Sequence, residues 1–289
     1  RTLGRPEPFA LVEMGPGRGT LMRDILRTAQ IDPGFLAAAS VHLVETSPRL
    51  RDVQRETLSP HAAEWHEDLS ALPDMPMLFV ANELFDAIPI RQFEKTPDGW
   101  CERRVGVDPE GRLTIAHAPS SADLSFLPAG ANAAPAGSIF EYAPAREAVA
   151  ATLGARLAAH GGVALVFDYG HPRSGFADTL QALQSHRYVS PFDGPGRFDL
   201  TSHVDFEAVT AAATAAGAHA LPLVTQGEFL LSLGLAERAG ALGHGKDEKT
   251  QAELRVAAER LAGTGDDEMG RLFKVSCLTG APMSLPPFA

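Results

Sequence analysis

The sequence predicts an α/β fold: a doubly wound, mostly parallel sheet with helices on both faces. Two observations carry that expectation. Short apolar runs alternate with amphipathic helical stretches along most of the 289 residues. A glycine-rich turn also joins the first apolar run directly to a helix, the junction where open α/β sheets bind ligands.

The first strand is Phe9-Ala10-Leu11-Val12, and it runs into Glu13-Met14-Gly15-Pro16-Gly17-Arg18-Gly19-Thr20-Leu21. Leu21, Met22, Ile25, Leu26 and Ala29 then recur with helical spacing. Glycine belongs where backbone must take φ > 0 or approach a ligand. The dinucleotide fingerprint G-x-G-x-x-G would need its third glycine at Thr20. The observed G-x-G-x-G, with an acid two residues before it, suits S-adenosylmethionine better. That cofactor lays a charged amino-acid tail over the turn and has no pyrophosphate to seat. Glu13, Gly15, Gly17 and Gly19 are therefore candidate cofactor-binding residues; a tight turn with no ligand is the plainer alternative.

The second strand spans 41–45 and ends in Glu45. Ser47 is a good N-cap and Pro48 a good first helical residue, opening a helix with Leu50, Val53 and Leu58 inward up to Ser59-Pro60. An acid at this strand end holds ribose hydroxyls in nucleoside-binding sheets, so Glu45 is a candidate ribose ligand, against a solvated loop acid. Residues 64–68 form a short third strand ending in Asp68, which could accept from an adenine amino group or serve only a polar turn. A buried strand over 77–81 runs into Asn82-Glu83-Leu84-Phe85-Asp86-Ala87-Ile88-Pro89.

From residue 90 to 118 the pattern changes to strand-like runs separated by Pro97-Asp98-Gly99 and Asp108-Pro109-Glu110-Gly111, an inserted antiparallel meander. Residues 118–138 read as loop, and 143–160 as a helix with Val149, Leu153 and Leu157 inward, stopped by Gly161-Gly162. A fifth strand over 163–167 ends at Asp168-Tyr169-Gly170. The polar stretch 171–200, with Tyr188 and Phe192, is too long for a passive connection and is a candidate substrate lid. Ser202-x-x-Asp205 reads as a capping box opening the next helix, which makes Asp205 structural and His203 a cap or packing residue more readily than a base. A sixth strand over 220–225, a helical insertion over 228–262 and a last strand over 271–278 complete one domain, 1–289, without internal repeats.

The formal net charge is −11 and there is no dense Lys/Arg tract, which disfavours generic nucleic-acid binding. No apolar run approaches the ~18 residues of a membrane span. The two cysteines, Cys101 and Cys277, are far apart and support neither a disulfide framework nor a zinc site, and no metal ligand set is expected. Neither a G-x-S-x-G elbow nor a P-loop is present.

Five β/α units, a helix and two closing strands match the class I S-adenosylmethionine methyltransferase layout, in which the last strand inserts antiparallel beside strand six. Methyl transfer asks the protein mainly to hold a nucleophile in line and to stabilise charge. The end of strand four lies beside the methyl. Amino-methylating enzymes place Asn/Asp-Pro-Pro-aromatic there; Asn82 matches the first position, but Glu83-Leu84 replace the prolines. Two carboxylates suit a cationic acceptor instead, since a guanidinium pairs bidentately with a carboxylate. Glu83, Asp86 and Asn82 are thus the candidate catalytic residues; the alternative is that Glu83 and Asp86 merely cap the next segment.

Seven motifs stand in order: 13–21, Val44-Glu45-Thr46-Ser47-Pro48, 82–89, Phe167-Asp168-Tyr169-Gly170, 180–189, 199–206 and Leu272-Phe273-Lys274-Val275. With them the chain resembles the MidA-type S-adenosylmethionine-dependent methyltransferases. That family includes a mitochondrial complex I assembly factor that symmetrically dimethylates arginine on a complex I subunit. The resemblance implies a class I fold, S-adenosylmethionine as cofactor, a protein-arginine acceptor such as a complex I subunit, and a role in respiratory complex assembly. It also implies a cytoplasmic location for a bacterial chain and a matrix location for a eukaryotic one. Members carry a segment before the first strand that helps cover the cofactor, so a preceding piece is expected to be missing here. Two other functions stay open: an assembly chaperone that keeps the cofactor fold without catalysis, and a dinucleotide oxidoreductase.

Overall fold

The structure, a computed structural model, describes residues 4, 6–119, 124–184, 187–265 and 268–288. The chain opening Arg1-Thr2-Leu3, residues 120–123 of the expected loop and Ser185-His186 of the 180–189 motif lie outside the described residues.

The glycine turn separates β1 (Phe9–Met14) from α1 (Thr20–Ala29). A short α2 (Pro33–Ala38) leads to β2 (Ala39–Val44), and Ser47 caps α3 (Pro48–Leu58) by accepting from the Leu50 N–H. β3 (Glu64–His66) and β4 (Met77–Asn82) follow. Next come β5 (Arg91–Thr96), β6 (Gly99–Val107), β7 (Leu113–Pro119) and β8 (Ile139–Tyr142), then α4 (Pro144–His160) and β9 (Gly162–His171). β10 (Gln181–Gln184), β11 (Arg187–Val189), β12 (Asp199–Thr201) and β13 (Val204–Asp205) precede α5 (Phe206–Ala215). After β14 (His219–Ala220) and β15 (Val224–Thr225) the chain forms α6 (Gln226–Ser232), α7 (Leu235–Gly243), α8 (Glu248–Ala262) and α9 (Met269–Leu272), and closes on β16 (Phe273–Thr279).

The main sheet runs β14-β16-β9-β4-β1-β2-β3. Neighbours from β9 to β3 are parallel, while β16 lies antiparallel between β9 and β14. This is the class I layout, with the last strand inserted antiparallel. Val12, Phe79, Ala81 and Val166 face α4 and α5 through Ala150, Leu153, Leu157, Val209 and Ala213. On the opposite face Leu11 and Leu43 pack against Met22, Leu26 and Leu58. An apolar cavity of about 560 Å³ opens on that second face, over Leu78, Val80, Leu165 and Phe167, with Asn82 on its wall.

Several expectations are corrected. The helix after residue 200 is capped by Asp205, whose carboxylate accepts from the Ala208 N–H at 3.1 Å. The Ser202-x-x-Asp205 box is thus not formed, because Ser202 turns inward to accept from Arg146. The meander gains a fourth strand, β8, which pairs antiparallel with β5 and buries Phe140 beside Phe93. Four residues are too few to show a periodicity in sequence. Between residues 171 and 200, β10 pairs with both β11 and β12. The expected strand over 220–225 is two bridges, β14 and β15, either side of Pro222, which cannot donate to a ladder.

Candidate active site

β1 pairs with β2 on one side and β4 on the other, so the turn after Met14 lies beside Val44 and Ala81 at the carboxyl edge of the sheet. Gly15, Gly17 and Gly19 all have positive φ, at 69°, 53° and 78°. A side chain at Gly15 is disfavoured by its φ, and a Cβ there would sit 2.6 Å from Leu84 Cδ1, so Leu84 would have to shift. Gly19 is the residue before α1 and offers no capping side chain, so the first turn of this ten-residue helix is capped from elsewhere, its Met22 N–H by Glu13.

Glu13 is buried at the base of the turn and takes a hydrogen bond from the Met22 backbone. Its Oε2 has no partner among the described residues. Burial pushes its carboxyl up to about 7. A buried acceptor atom left unmatched beneath a glycine turn fits a cationic group lying above it. The ammonium tail of S-adenosylmethionine has that chemistry.

Glu45 is buried at the end of β2. Its Oε1 accepts from the Ser47 N–H at 2.8 Å and its Oε2 from Gln54 Nε2 at 3.1 Å. Gln54 is fully buried in α3 and also donates to the Gly17 carbonyl at 2.8 Å, while its Oε1 accepts from Trp65 Nε1 at 2.8 Å. One amide thus ties the glycine turn, Glu45 and β3 together. Leu50 and Val53 are only half-buried; Gln54 and Leu58 take the inward positions. Asp68 follows β3 on the surface. Its Oδ1 accepts from the Ser70 N–H at 2.7 Å and from the Ser70 hydroxyl, capping the turn Leu69–Ala71. These bonds, the hydroxyl's above all, hold its carboxyl below the usual range. They satisfy the polar-turn alternative, and Oδ2 lies outside them.

Asn82 ends β4, and Glu83 follows with φ 49°, the one non-glycine residue with positive φ among those described. Such a conformation costs about 1–3 kcal/mol and persists where surrounding structure enforces it. Here the Glu83 N–H donates to Phe167 O at 2.9 Å and Asn82 Nδ2 reaches Glu83 Oε1 at 3.4 Å. Burial raises the Glu83 carboxyl above its ordinary range, and the nearby Asp86 charge adds to it. Asp86, unlike the exposed Glu83, is buried; its carboxyl is also raised by burial, and Oδ1 finds no partner among the described residues. Tyr169 hydrogen-bonds to the Asp86 carboxylate.

Asp168 and Arg146 hold this loop, and neither stands out as a site residue in the sequence. Asp168 is fully buried near the end of β9, three residues before its last. Its Oδ2 accepts from the Phe85 and Asp86 N–H groups at 2.9 and 3.2 Å, and its Oδ1 from Tyr169 N at 2.9 Å. Burial, then the Asp86 charge, pushes the Asp168 carboxyl up to about 8 despite those three donors. Arg146, buried in α4, donates to Asp86 O at 3.0 Å, His203 O at 2.7 Å and Ser202 Oγ at 2.6 Å. His203 packs its ring edge-on to Tyr169 at 5.5 Å, with its imidazole kept below its ordinary pKa by burial. Strand-end logic could have singled out Asp168, an acid closing an apolar run. Nothing local marks Arg146, whose partners lie 56 or more residues away.

The site thus joins a glycine turn over an unmatched carboxylate to a carboxylate-bearing loop on the adjacent strand. Three comparisons bear on it. The family model described as "Putative S-adenosyl-L-methionine-dependent methyltransferase" matches residues 1–224. The chain is 30% identical to "Protein arginine methyltransferase NDUFAF7, mitochondrial" of Danio rerio, over 94% of this chain and 69% of that protein. It is 33% identical to the Homo sapiens protein of the same name, over 83% of this chain and 59% of that one. A crystal structure from Burkholderia thailandensis bound to S-adenosyl-homocysteine superposes with TM-score 0.82 at 30% identity, covering 100% of this chain and 76% of that one.

Proposed function

The chain belongs to this family of S-adenosyl-L-methionine-dependent methyltransferases, and from that premise we propose that it methylates a guanidinium nitrogen of an arginine on a protein. One observation carries the reading. Leu84 lies against Gly15, so the loop bearing Glu83 and Asp86 abuts the glycine turn itself. Relatives named protein arginine methyltransferases support the choice of arginine.

Bound S-adenosylmethionine supplies an activated methyl group on a sulfonium, so this chain's task is orientation and charge. Glu13 and the turn Gly15, Gly17 and Gly19 hold the amino-acid tail, Glu45 the ribose hydroxyls and Asp68 Oδ2 the adenine amino group. Glu83 and Asp86 pair with the acceptor guanidinium, and Asn82 steadies Glu83. When the nitrogen gains a methyl it gives up a proton, and Glu83, whose carboxyl is raised above its ordinary range, is placed to take it. Asp168 and Arg146 touch neither reactant in this account; they position the loop. The finer acceptor we propose, a respiratory complex I subunit dimethylated symmetrically in support of assembly, rests on the motif resemblance.

The test incubates the chain with methyl-labelled S-adenosylmethionine and complex I subunits, with mass spectrometry of the products. The expected outcome is label on arginine. Glu83→Gln is expected to lower kcat about 10²-fold while S-adenosylhomocysteine affinity stays within about twofold. Label found only on lysine or glutamine, or absent altogether, overturns the arginine reading.

A further inference from the structure

At the edge of the main sheet, away from the glycine turn, His42 of β2 and Glu64 and His66 of β3 lie on one face. The strand register places them there: His42 pairs with Glu64, and Val44 with His66. His42 Nδ1 is 3.0 Å from His66 Nε2 and 3.9 Å from Glu64 Oε2. One ligand atom from each residue lies within 4.8 Å of the other two. At metal–nitrogen distances of about 2.0–2.1 Å, the edges of a tetrahedral zinc site are about 3.3 Å long. The observed edges bracket that value.

The hydrogen bonds behind His42 decide which of its nitrogens is available. Ser40 Oγ donates to Phe9 O at 3.3 Å and also faces Met75 Sδ at 3.8 Å. Both are acceptors only, and either can take the serine proton. The serine oxygen then accepts from His42 Nε2, 2.9 Å away. In that arrangement His42 Nε2 carries the proton, and Nδ1 presents its lone pair toward His66 and Glu64. A metal-ligating histidine is commonly oriented by a partner on its other nitrogen in this way. His42 is buried, while Glu64 and His66 reach solvent, which gives the site an entry path.

We propose that His42 Nδ1, His66 Nε2 and Glu64 form a binding site for a divalent transition ion such as Zn²⁺, with the fourth position open to water. His66 binds as its Nδ1–H tautomer, so the contact it now makes with His42 is replaced by two metal bonds without net loss of a proton. The ion ties the three-residue edge strand β3 to β2 and steadies the loop that carries Asp68. Two histidines and a carboxylate are a set that zinc and similar ions accept. Nothing in the methyl-transfer reading depends on it.

The test titrates the metal-free 289-residue chain with Zn²⁺ in competition with a chromophoric chelator, and with Co²⁺ followed by its visible absorption. One equivalent is expected to bind, with a four-coordinate cobalt spectrum. His66→Ala is expected to weaken binding at least 10²-fold and Glu64→Gln about 10-fold; circular dichroism checks that both remain folded. Ser40→Ala, which touches no metal, is expected to weaken binding about 10- to 100-fold. His61→Ala, at another histidine, leaves it unchanged. No saturable binding by the unaltered chain, or His66→Ala binding as tightly as the unaltered chain, overturns the site.

Discussion

Asp168 holds the 82–89 loop on two backbone hydrogen bonds, from Phe85 and Asp86, takes a third from its own neighbour Tyr169, and is fully buried. Its carboxyl is pushed up from an ordinary 3.8 to about 8. Between those values the folded chain keeps a proton that the unfolded chain has released. Stability therefore falls as pH rises from about 4 to 8, by up to about 1.4 kcal/mol per pH unit for one such group. Glu13, raised to about 7, acts in the same direction. Asp168→Asn keeps an oxygen for the Phe85 and Asp86 N–H groups and removes the ionisation. Denaturant unfolding at pH 5, 6, 7 and 8 is expected to show a shallower decline for the variant; an unchanged slope means the charge at Asp168 does not set it. At this scale the acids at strand ends were legible, because an acid closing an apolar run is a local pattern. Gln54 and Arg146 were not, since a glutamine in a helix and an arginine at a helix start say nothing until distant carbonyls arrive beside them.

Among the elements, α4 and α5 show what the sheet needs of its helices. They cross so closely that a Cβ on Gly154 would lie 2.3 Å from the Ala213 carbonyl oxygen. In an exposed helix Gly→Ala gains up to about 1 kcal/mol. Here the sign reverses, because backbone must shift to admit the methyl, and overpacking of this kind costs about 1–3 kcal/mol. Gly154→Ala is expected to lower the denaturant midpoint, and a rise means the two helices have room to part. The elements that sequence located best were those with clear ends. Ser47-Pro48 opened α3 at the residue expected, and Gly161-Gly162 closed α4. Those it missed were short or held from outside. β8 is four residues paired to β5, and Asp205 became the cap once Arg146 drew Ser202 away. The proposed metal ligands were hidden for a related reason. Cysteine counting and ligand spacing look along the chain, whereas His42 meets His66 across a strand pair.

On the scale of the whole molecule, the order of strands placed the cofactor turn and acceptor loop on neighbouring strands, and this was readable from the alternation of elements. That order alone does not separate S-adenosylmethionine from a dinucleotide, since dinucleotide enzymes share the strand–glycine–helix start; the family does. Linkage measures the binding in solution. A ligand bound only by the folded chain stabilises by about 2.7 kcal/mol at one hundred times its Kd. For 289 residues, at about 2.1 cal/mol/K of unfolding entropy per residue, that is a rise in Tm of roughly 4–5 °C. S-adenosylhomocysteine is expected to give this rise and NADH none. If Glu45 holds the ribose as proposed, Glu45→Ala abolishes most of the ligand-induced shift, while its own Tm without ligand falls less. If Glu45→Ala loses stability and ligand response in equal measure, the Ser47 and Gln54 hydrogen bonds are its whole role. If NADH alone raises the Tm, the spacing argument built on Gly15, Gly17 and Gly19 fails, and the acceptor loop loses the methyl donor it was placed to serve.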